Sequence, residues 1–243
     1  MKNFKSIEEL GKVIESTYLK NNGTIENIDK LINDAIDYGF YSVVVSPYYV
    51  EYAKNKLKNK NIKVGTVIGF PLGYNKSTVK EFEAKNAIEN GVDEIDVVLN
   101  ISAIKTKDYD TIKDEIEKII NISKNKKEKD ITVKTIIETG LLEKNEMIEI
   151  SQIASELGVD FIKTSTGFNN VPGAKATDIR RIRRVNPNIK IKASGGINNY
   201  KTAFRLLSAG ADRLGTSSAV EIIEEFKKIT DNYDEHQGKS GLI

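Results

Sequence analysis

Apolar positions along this chain recur in two alternating rhythms. Short runs rich in Val, Ile and Thr occupy 42–45, 64–68, 94–99, 132–137, 161–164, 190–193 and 212–215, with a further one around 13–17. Runs of this length and composition read as β-strands. Longer stretches at helical spacing fill the intervals, at 25–37, 49–59, 78–90, 109–124, 144–157, 176–185, 201–209 and 218–228. A short helix at 7–12 caps the N-terminus. Gly39, Gly91, Gly158 and Gly210 follow helical stretches, and three of them stand just before a strand. Glycine there supplies the left-handed turn that stops a helix. Eight strand–helix units with right-handed crossovers predict an α/β chain closed into a single (β/α)8 TIM barrel. An open doubly wound sheet is the rival. Its first strand often leads into a Gly-x-Gly-x-x-Gly turn, and none is present. At 243 residues the chain matches the ~250 of one such barrel, so 1–243 reads as one domain, with 231–243 a polar tail.

Strand alternation sorts the side chains by face, because residues two apart point the same way. In 94–99, Glu94, Asp96 and Val98 share one face. In 132–137 and just beyond, Thr132, Lys134, Ile136 and Glu138 do. Phe161 pairs with Lys163, and Lys190 with Lys192. The opposite faces carry Ile95, Val97, Val133, Thr135, Ile137, Ile162 and Ile191 and suit contact with helices. The first faces then point inward and place Asp96, Lys134, Glu138, Lys163 and Lys192 inside the barrel. Barrel interiors are usually filled with Val, Ile and Leu, and a buried charge costs several kcal/mol unless paired. A purely structural ion cluster is the competing reading, yet such clusters stabilise a fold weakly. Three inward lysines against two carboxylates leave a cationic excess, relieved if one lysine gives up its proton. Lys163, between the strands carrying Lys134 and Lys192, is the candidate. A neutral amine there is a nucleophile suited to Schiff-base chemistry with a carbonyl compound.

Composition narrows the alternatives. The chain has no cysteine, so thiolate catalysis and cysteine metal sites are excluded. Its single histidine, His236, lies in the polar tail, which removes Ser-His-Asp triads and multi-histidine metal sites. Proton transfer is left to Asp, Glu, Lys, Tyr or water. A net charge of +2, from 37 basic and 35 acidic residues, makes no case for nucleic acid or a membrane surface. The opening Met1-Lys2-Asn3-Phe4-Lys5 does not resemble a secretion signal, and no apolar run spans a membrane, so a cytoplasmic location is expected. The charged patch at 124–130 reads as a solvated loop.

A second constellation suits an anion. Gly195-Gly196 follows the seventh strand, and Gly215-Thr216-Ser217-Ser218 follows the eighth and opens the last helix. Barrels often hold phosphate with these two loops and a helix N-terminus. Thr166-Gly167 after the sixth strand completes the rim. Ser217 read alone is equally an N-cap.

Taken in order, Val67-Ile68-Gly69-Phe70-Pro71-Leu72-Gly73, Asp93-Glu94-Ile95-Asp96-Val97-Val98, Ile136-Ile137-Glu138-Thr139, Phe161-Ile162-Lys163-Thr164-Ser165-Thr166-Gly167, the Lys192 segment and Gly215-Thr216-Ser217-Ser218 resemble the deoxyribose-phosphate aldolase family. The resemblance covers roughly 14–223. It implies a class I aldolase that cleaves 2-deoxy-D-ribose 5-phosphate, a small sugar phosphate, without metal or cofactor. It makes Lys163 the Schiff-base lysine, Asp96 the proton-transfer carboxylate and Lys192 the second catalytic lysine, with Lys134, Glu138 and Glu15 in the supporting network. The family's first strand often reads Asp-His-Thr-Leu-Leu-Lys, where this chain has Glu15-Ser16-Thr17-Tyr18-Leu19-Lys20. Some members end in a tyrosine that assists proton transfer, and the nearest candidate here is Tyr233. A homo-oligomer stays open. So do two alternative functions: another sugar-phosphate lyase or isomerase, and a barrel that binds sugar phosphates without turning them over.

Overall fold

β-Branched residues fill the strands, and their alternation decides which layer each side chain enters. The computed structural model describes residues 4–124 and 130–239, and side chains up to residue 231. Eight strands pair in chain order, all parallel: β1 (Ile14–Tyr18), β2 (Ser42–Val45), β3 (Lys63–Ile68), β4 (Glu94–Val98), β5 (Thr132–Ile136), β6 (Phe161–Lys163), β7 (Lys190–Ser194) and β8 (Arg213–Thr216). β8 pairs with β1 and closes the barrel, with Glu15 opposite Gly215. The outward residues Val43, Val45, Ile95, Val97, Val133, Ile162 and Ile191 join the helices in one apolar layer. The expected (β/α)8 architecture is the one observed.

The helices are α1 (Ile7–Gly11), α2 (Ile25–Tyr38), α3 (Val50–Lys56), α4 (Ser77–Glu89), α5 (Ile101–Lys105), α6 (Tyr109–Lys124), α7 (Lys144–Glu156), α8 (Ala176–Val185), α9 (Tyr200–Ser208) and α10 (Ala219–Lys239). Gly39 ends α2 in the left-handed conformation, and Gly91, Gly158 and Gly210 also take positive φ. A buried ion pair joins α4 to α6, with Lys80 Nζ 2.8 Å from Glu115 and 2.7 Å from the Val98 carbonyl at the end of β4.

Two local expectations need correction. The polar segment from 231 is not outside the last helix, because α10 continues to Lys239. Its buried Ile222, Ile223 and Phe226 anchor the helix, and extending a formed helix into solvent needs no apolar stripe. Residues 240–243, the Tyr233 and His236 side chains, the 125–129 part of the charged patch and the first three residues lie outside the described set. The second correction concerns Glu138. β5 ends at Ile136, and Glu138 adopts a left-handed backbone (φ 51°) ahead of a 3₁₀ turn at Thr139–Leu141. The left-handed backbone falls on Glu138 itself, beyond the end of β5, so the period of two does not carry its side chain to the ions around Lys134.

Candidate active site

The strand register gathers the charged inward residues into adjacent positions. Asp96 lies opposite Lys134, Lys163 opposite Lys192, and Lys192 opposite Arg213. Asp96 sits at the centre and is fully buried. One of its oxygens is 2.9 Å from Lys134 Nζ. The other accepts from Lys163 at 2.9 Å and from Lys192 at 2.8 Å. Lys134 also bonds Glu94 at 2.6 Å and approaches Glu15 within 3.4 Å. Lys192 pairs with Glu15 as well. Gly215 on β8 leaves room for it, since a Cβ there would lie 2.7 Å from Lys192 Cε.

At the start of β8, Arg213 completes the network. Its guanidinium bonds both oxygens of Glu94 at 2.9 and 3.0 Å and reaches Glu15 at 3.3 Å. It stacks 3.7 Å over the Tyr41 ring and 4.5 Å over Phe161. The Tyr41 hydroxyl donates to Glu94 at 3.0 Å, and burial, then the Glu94 charge, push its pKa up to about 12. Six groups therefore form a loop of alternating sign: Arg213, Glu94, Lys134, Asp96, Lys192 and Glu15. Three cations balance three carboxylates. Lys163 hangs on Asp96 as a seventh member with no carboxylate of its own.

The electrostatics follow from that arrangement. Burial pushes the Lys163 ammonium down to about 8. The Asp96 charge opposes the fall and the Lys192 cation adds to it. Burial alone would raise Asp96, yet Lys134, Lys163 and Lys192 overcome it and hold the carboxyl well below its usual range. Burial would lower Lys134, but Asp96, Glu15 and Glu94 outweigh it and keep this lysine charged. Glu94 is held low in the same way, with Lys134 and Arg213 overcoming its burial.

Lys163 opens into a cavity of about 370 Å³ at the C-terminal mouth. Thr166, Gly167, Gly195, Gly196, Gly215 and Ser217 line it, as do Thr17, Tyr18 and Lys20 from the β1 end. The backbone N–H groups of Gly196 and Ser217 have no protein acceptor among the described residues. Ser218 is not part of the lining. Its N–H donates to Thr216 Oγ1 at 2.9 Å, within the turn that leads into α10. Glu138 does not touch the ion network. It accepts from the Thr166 hydroxyl at 2.6 Å, the Thr166 N–H at 3.2 Å and Asn169 Nδ2 at 2.7 Å, and so fixes the loop after β6. Phe70, in the loop after β3, packs edge-on against Phe168 with ring centres 5.0 Å apart, and its ring lies 6.0 Å from Lys163 Nζ.

Three residues were not singled out from the sequence. Glu94 shares a strand face with Asp96, a usable signal. Arg213 stands two residues before Gly215 on β8, and only closure of the barrel brings it to Glu15. Lys20 adjoins β1 and becomes a second cation at the cavity wall. Among the described residues, no group of three or more His, Cys, Asp or Glu side chains is arranged to hold a metal ion, and no helix is long and apolar enough to cross a membrane.

The chain is similar to known proteins over most of its length. The family model for DeoC/LacD family aldolases matches residues 6–218. A deoxyribose-phosphate aldolase from Thermococcus kodakarensis is 47 % identical over 219 residues, covering 89 % of this chain and 96 % of the relative. Among solved structures, an aldolase designated QR15 superposes with a TM-score of 0.84 at 40 % identity, covering 90 % of this chain and 96 % of that one. The deoxyribose phosphate aldolase from Aeropyrum pernix, described as a tetramer, superposes with a TM-score of 0.85 at 32 % identity, covering 93 % and 94 %. A barrel with these strands in this order and this extent of sequence identity leave one assignment: the chain belongs to the DeoC/LacD family of aldolases.

Proposed function

We propose that this chain is a deoxyribose-phosphate aldolase, which reversibly cleaves 2-deoxy-D-ribose 5-phosphate to acetaldehyde and D-glyceraldehyde 3-phosphate through an imine on Lys163. The observation that carries this reading is the place of Lys163: buried, 2.9 Å from Asp96, and lining a cavity whose rim holds the Gly196 and Ser217 N–H groups, which have no acceptor among the described residues.

The neutral Lys163 amine attacks C1 of the open-chain sugar, and loss of water gives an iminium. The C3 hydroxyl loses its proton toward Asp96, directly or through a water held there. The C2–C3 pair flows into the iminium and leaves an enamine, with glyceraldehyde 3-phosphate as the departing aldehyde. Protonation at C2 and hydrolysis release acetaldehyde and restore the amine. A carboxylate facing three ammonium groups is a weak base. When the iminium becomes a neutral enamine, Asp96 loses one of those positive neighbours. Its basicity rises at the moment the C3 proton needs an acceptor. Lys192, 2.8 Å from the same Asp96 oxygen, is placed to relay that proton.

The sugar phosphate is assigned to the Gly196 and Ser217 N–H groups and the start of α10, where the helix dipole favours an anion. Binding energy at that remote end positions the reacting carbons. The direct test is a coupled assay for glyceraldehyde 3-phosphate release from 2-deoxyribose 5-phosphate with no added metal or cofactor. Turnover supports the reading; tight binding without turnover would favour a non-catalytic sugar-phosphate barrel.

A further inference from the structure

We infer that Arg213, a residue with no contact to the cavity, is the positioning residue that sets the charge of Lys163 by neutralising the ion loop on which Lys163 hangs. The inference rests on the Lys163 reading above.

Charge balance couples Arg213 to Lys163. Asp96 serves three lysines at once, so the strength with which it holds the Lys163 proton depends on what else compensates the loop. With Arg213 in place, the loop carries three positive and three negative groups, and Lys163 is the surplus cation. A surplus buried cation is the one that gives up its proton. Without Arg213, the loop would hold Lys134 and Lys192 against Glu15, Glu94 and Asp96. One carboxylate would then be unpaired, and keeping Lys163 as an ammonium would restore neutrality.

The geometry shows that Arg213 is built for this task. Its guanidinium is clamped between the faces of Tyr41 and Phe161, which fixes its plane against the Glu94 carboxylate. It touches both carboxylates that do not bond Lys163, and neither Arg213 nor Glu94 lines the cavity. Arginine suits the role because its charge cannot be titrated away. Every charged group packed around Lys163 enters the count. Asp96 and Glu94 come from β4, Lys134 from β5, Lys192 from β7 and Glu15 from β1. The remaining titratable neighbours do not alter the balance. Tyr41, beside Glu94, is kept neutral by its raised pKa. Lys190 lies exposed beside Phe161, Lys20 is solvent-exposed at the mouth, and Glu138 faces the Thr166 loop.

The test is the proton affinity of Lys163 itself. It is read from the pH dependence of its acetylation by acetic anhydride, followed by peptide mass mapping, and in parallel from the pH profile of kcat/KM for 2-deoxyribose 5-phosphate. In Arg213→Met both acid limbs should move up by about one unit. Activity at pH 7 should then fall about tenfold, with recovery by pH 9. Arg213→Lys, which keeps the charge, should retain the parent profile. Arg213→Met combined with Glu94→Gln rebalances the loop and should return the limb toward the parent. Glu94→Gln alone leaves the loop one cation over and should move the limb down. Should Arg213→Met fail to fold, that opposite shift in Glu94→Gln carries the test. A folded Arg213→Met with the parent's acetylation profile, or Glu94→Gln moving it upward, overturns the inference. Acetylation does not depend on catalysis. If the parent forms no acetaldehyde adduct at Lys163 but Arg213→Met still shifts its acetylation, the function falls and the charge coupling stands.

Discussion

Replacing Asp96 with Asn separates the two chemical steps assigned to this site. The amide keeps the shape of the side chain and removes the one negative charge that Lys163 shares with Lys134 and Lys192. In the parent, a Lys163 value of about 8 leaves about 9 % of the amine neutral at pH 7. A lysine at the ordinary 10.5 would be about 0.03 % neutral, so the site already gains roughly 300-fold in reactive amine. A carboxylate within 3 Å holds a proton on its partner by about 1–3 units. Its loss should carry Lys163 to roughly 5–7 and leave half or more of the amine neutral at pH 7. Imine formation should therefore be unimpaired or faster at neutral pH, with its acid limb moved down. Carbon–carbon cleavage, deprived of its proton acceptor, should slow by about 10²–10⁴-fold. The assay follows borohydride-trapped acetaldehyde adduct against pH, beside single-turnover release of glyceraldehyde 3-phosphate. Removing one partner from a buried ion network costs about 3–5 kcal/mol, so folding is checked by thermal unfolding. If trapping and cleavage fall by the same factor, or the trapping limb moves up, Asp96 is a scaffold and the reasoning fails.

Three further outcomes can be checked. Lys192→Met deletes a cation that helps depress Lys163, so the acid limb should rise and turnover should fall much more at pH 7 than at pH 9; unchanged neutral-pH kinetics would leave Lys192 a structural role only. Ser217→Asp puts a negative charge at the proposed phosphate end and should raise KM for the phosphorylated sugar by tenfold or more while sparing unphosphorylated 2-deoxyribose; equal loss on both would place the phosphate elsewhere. Lys80→Met strands the buried Glu115 carboxyl, which burial already lifts to about 7 against the opposing Lys80 charge. A glutamate raised in the folded state loses stabilising effect as pH climbs through that value, so the variant's deficit of about 3–5 kcal/mol should be larger in urea unfolding at pH 8 than at pH 5.5, and a pH-independent deficit would count against it.

Much of this arrangement is legible in the chain because alternation in a strand is a strong local rule. Ile95 and Val97 on one side of β4, with Glu94 and Asp96 on the other, settle both faces without any long-range information. The lysines at 134, 163 and 192 follow by the same rule, and the barrel brings their amines to one carboxylate. What stays hidden depends on closure or on a break in the rule. Arg213 meets Glu15 across 198 positions, a contact no local pattern records. Counting it with Glu94 and Glu15, and leaving out Glu138, changes the balance from three cations against two carboxylates to four against three. Glu138 is misplaced by alternation because its left-handed backbone turns it out of register. The short α5 is held by Asn100, whose side chain accepts from the Ala103 N–H, and five residues are too few to show a helical period. The end of α10 has no apolar stripe to announce it, since packing earlier in the helix supports it.

On the proposed reading, Lys163 is the amine that forms the imine. The most direct measurement is incubation with acetaldehyde and sodium borohydride, followed by proteolysis and mass mapping of the reduced adduct. One ethylated lysine, Lys163, is expected, with loss of activity in proportion to labelling. Ethylation of Lys192, Lys134 or Lys20 in its place, or full activity after Lys163 is labelled, would contradict it.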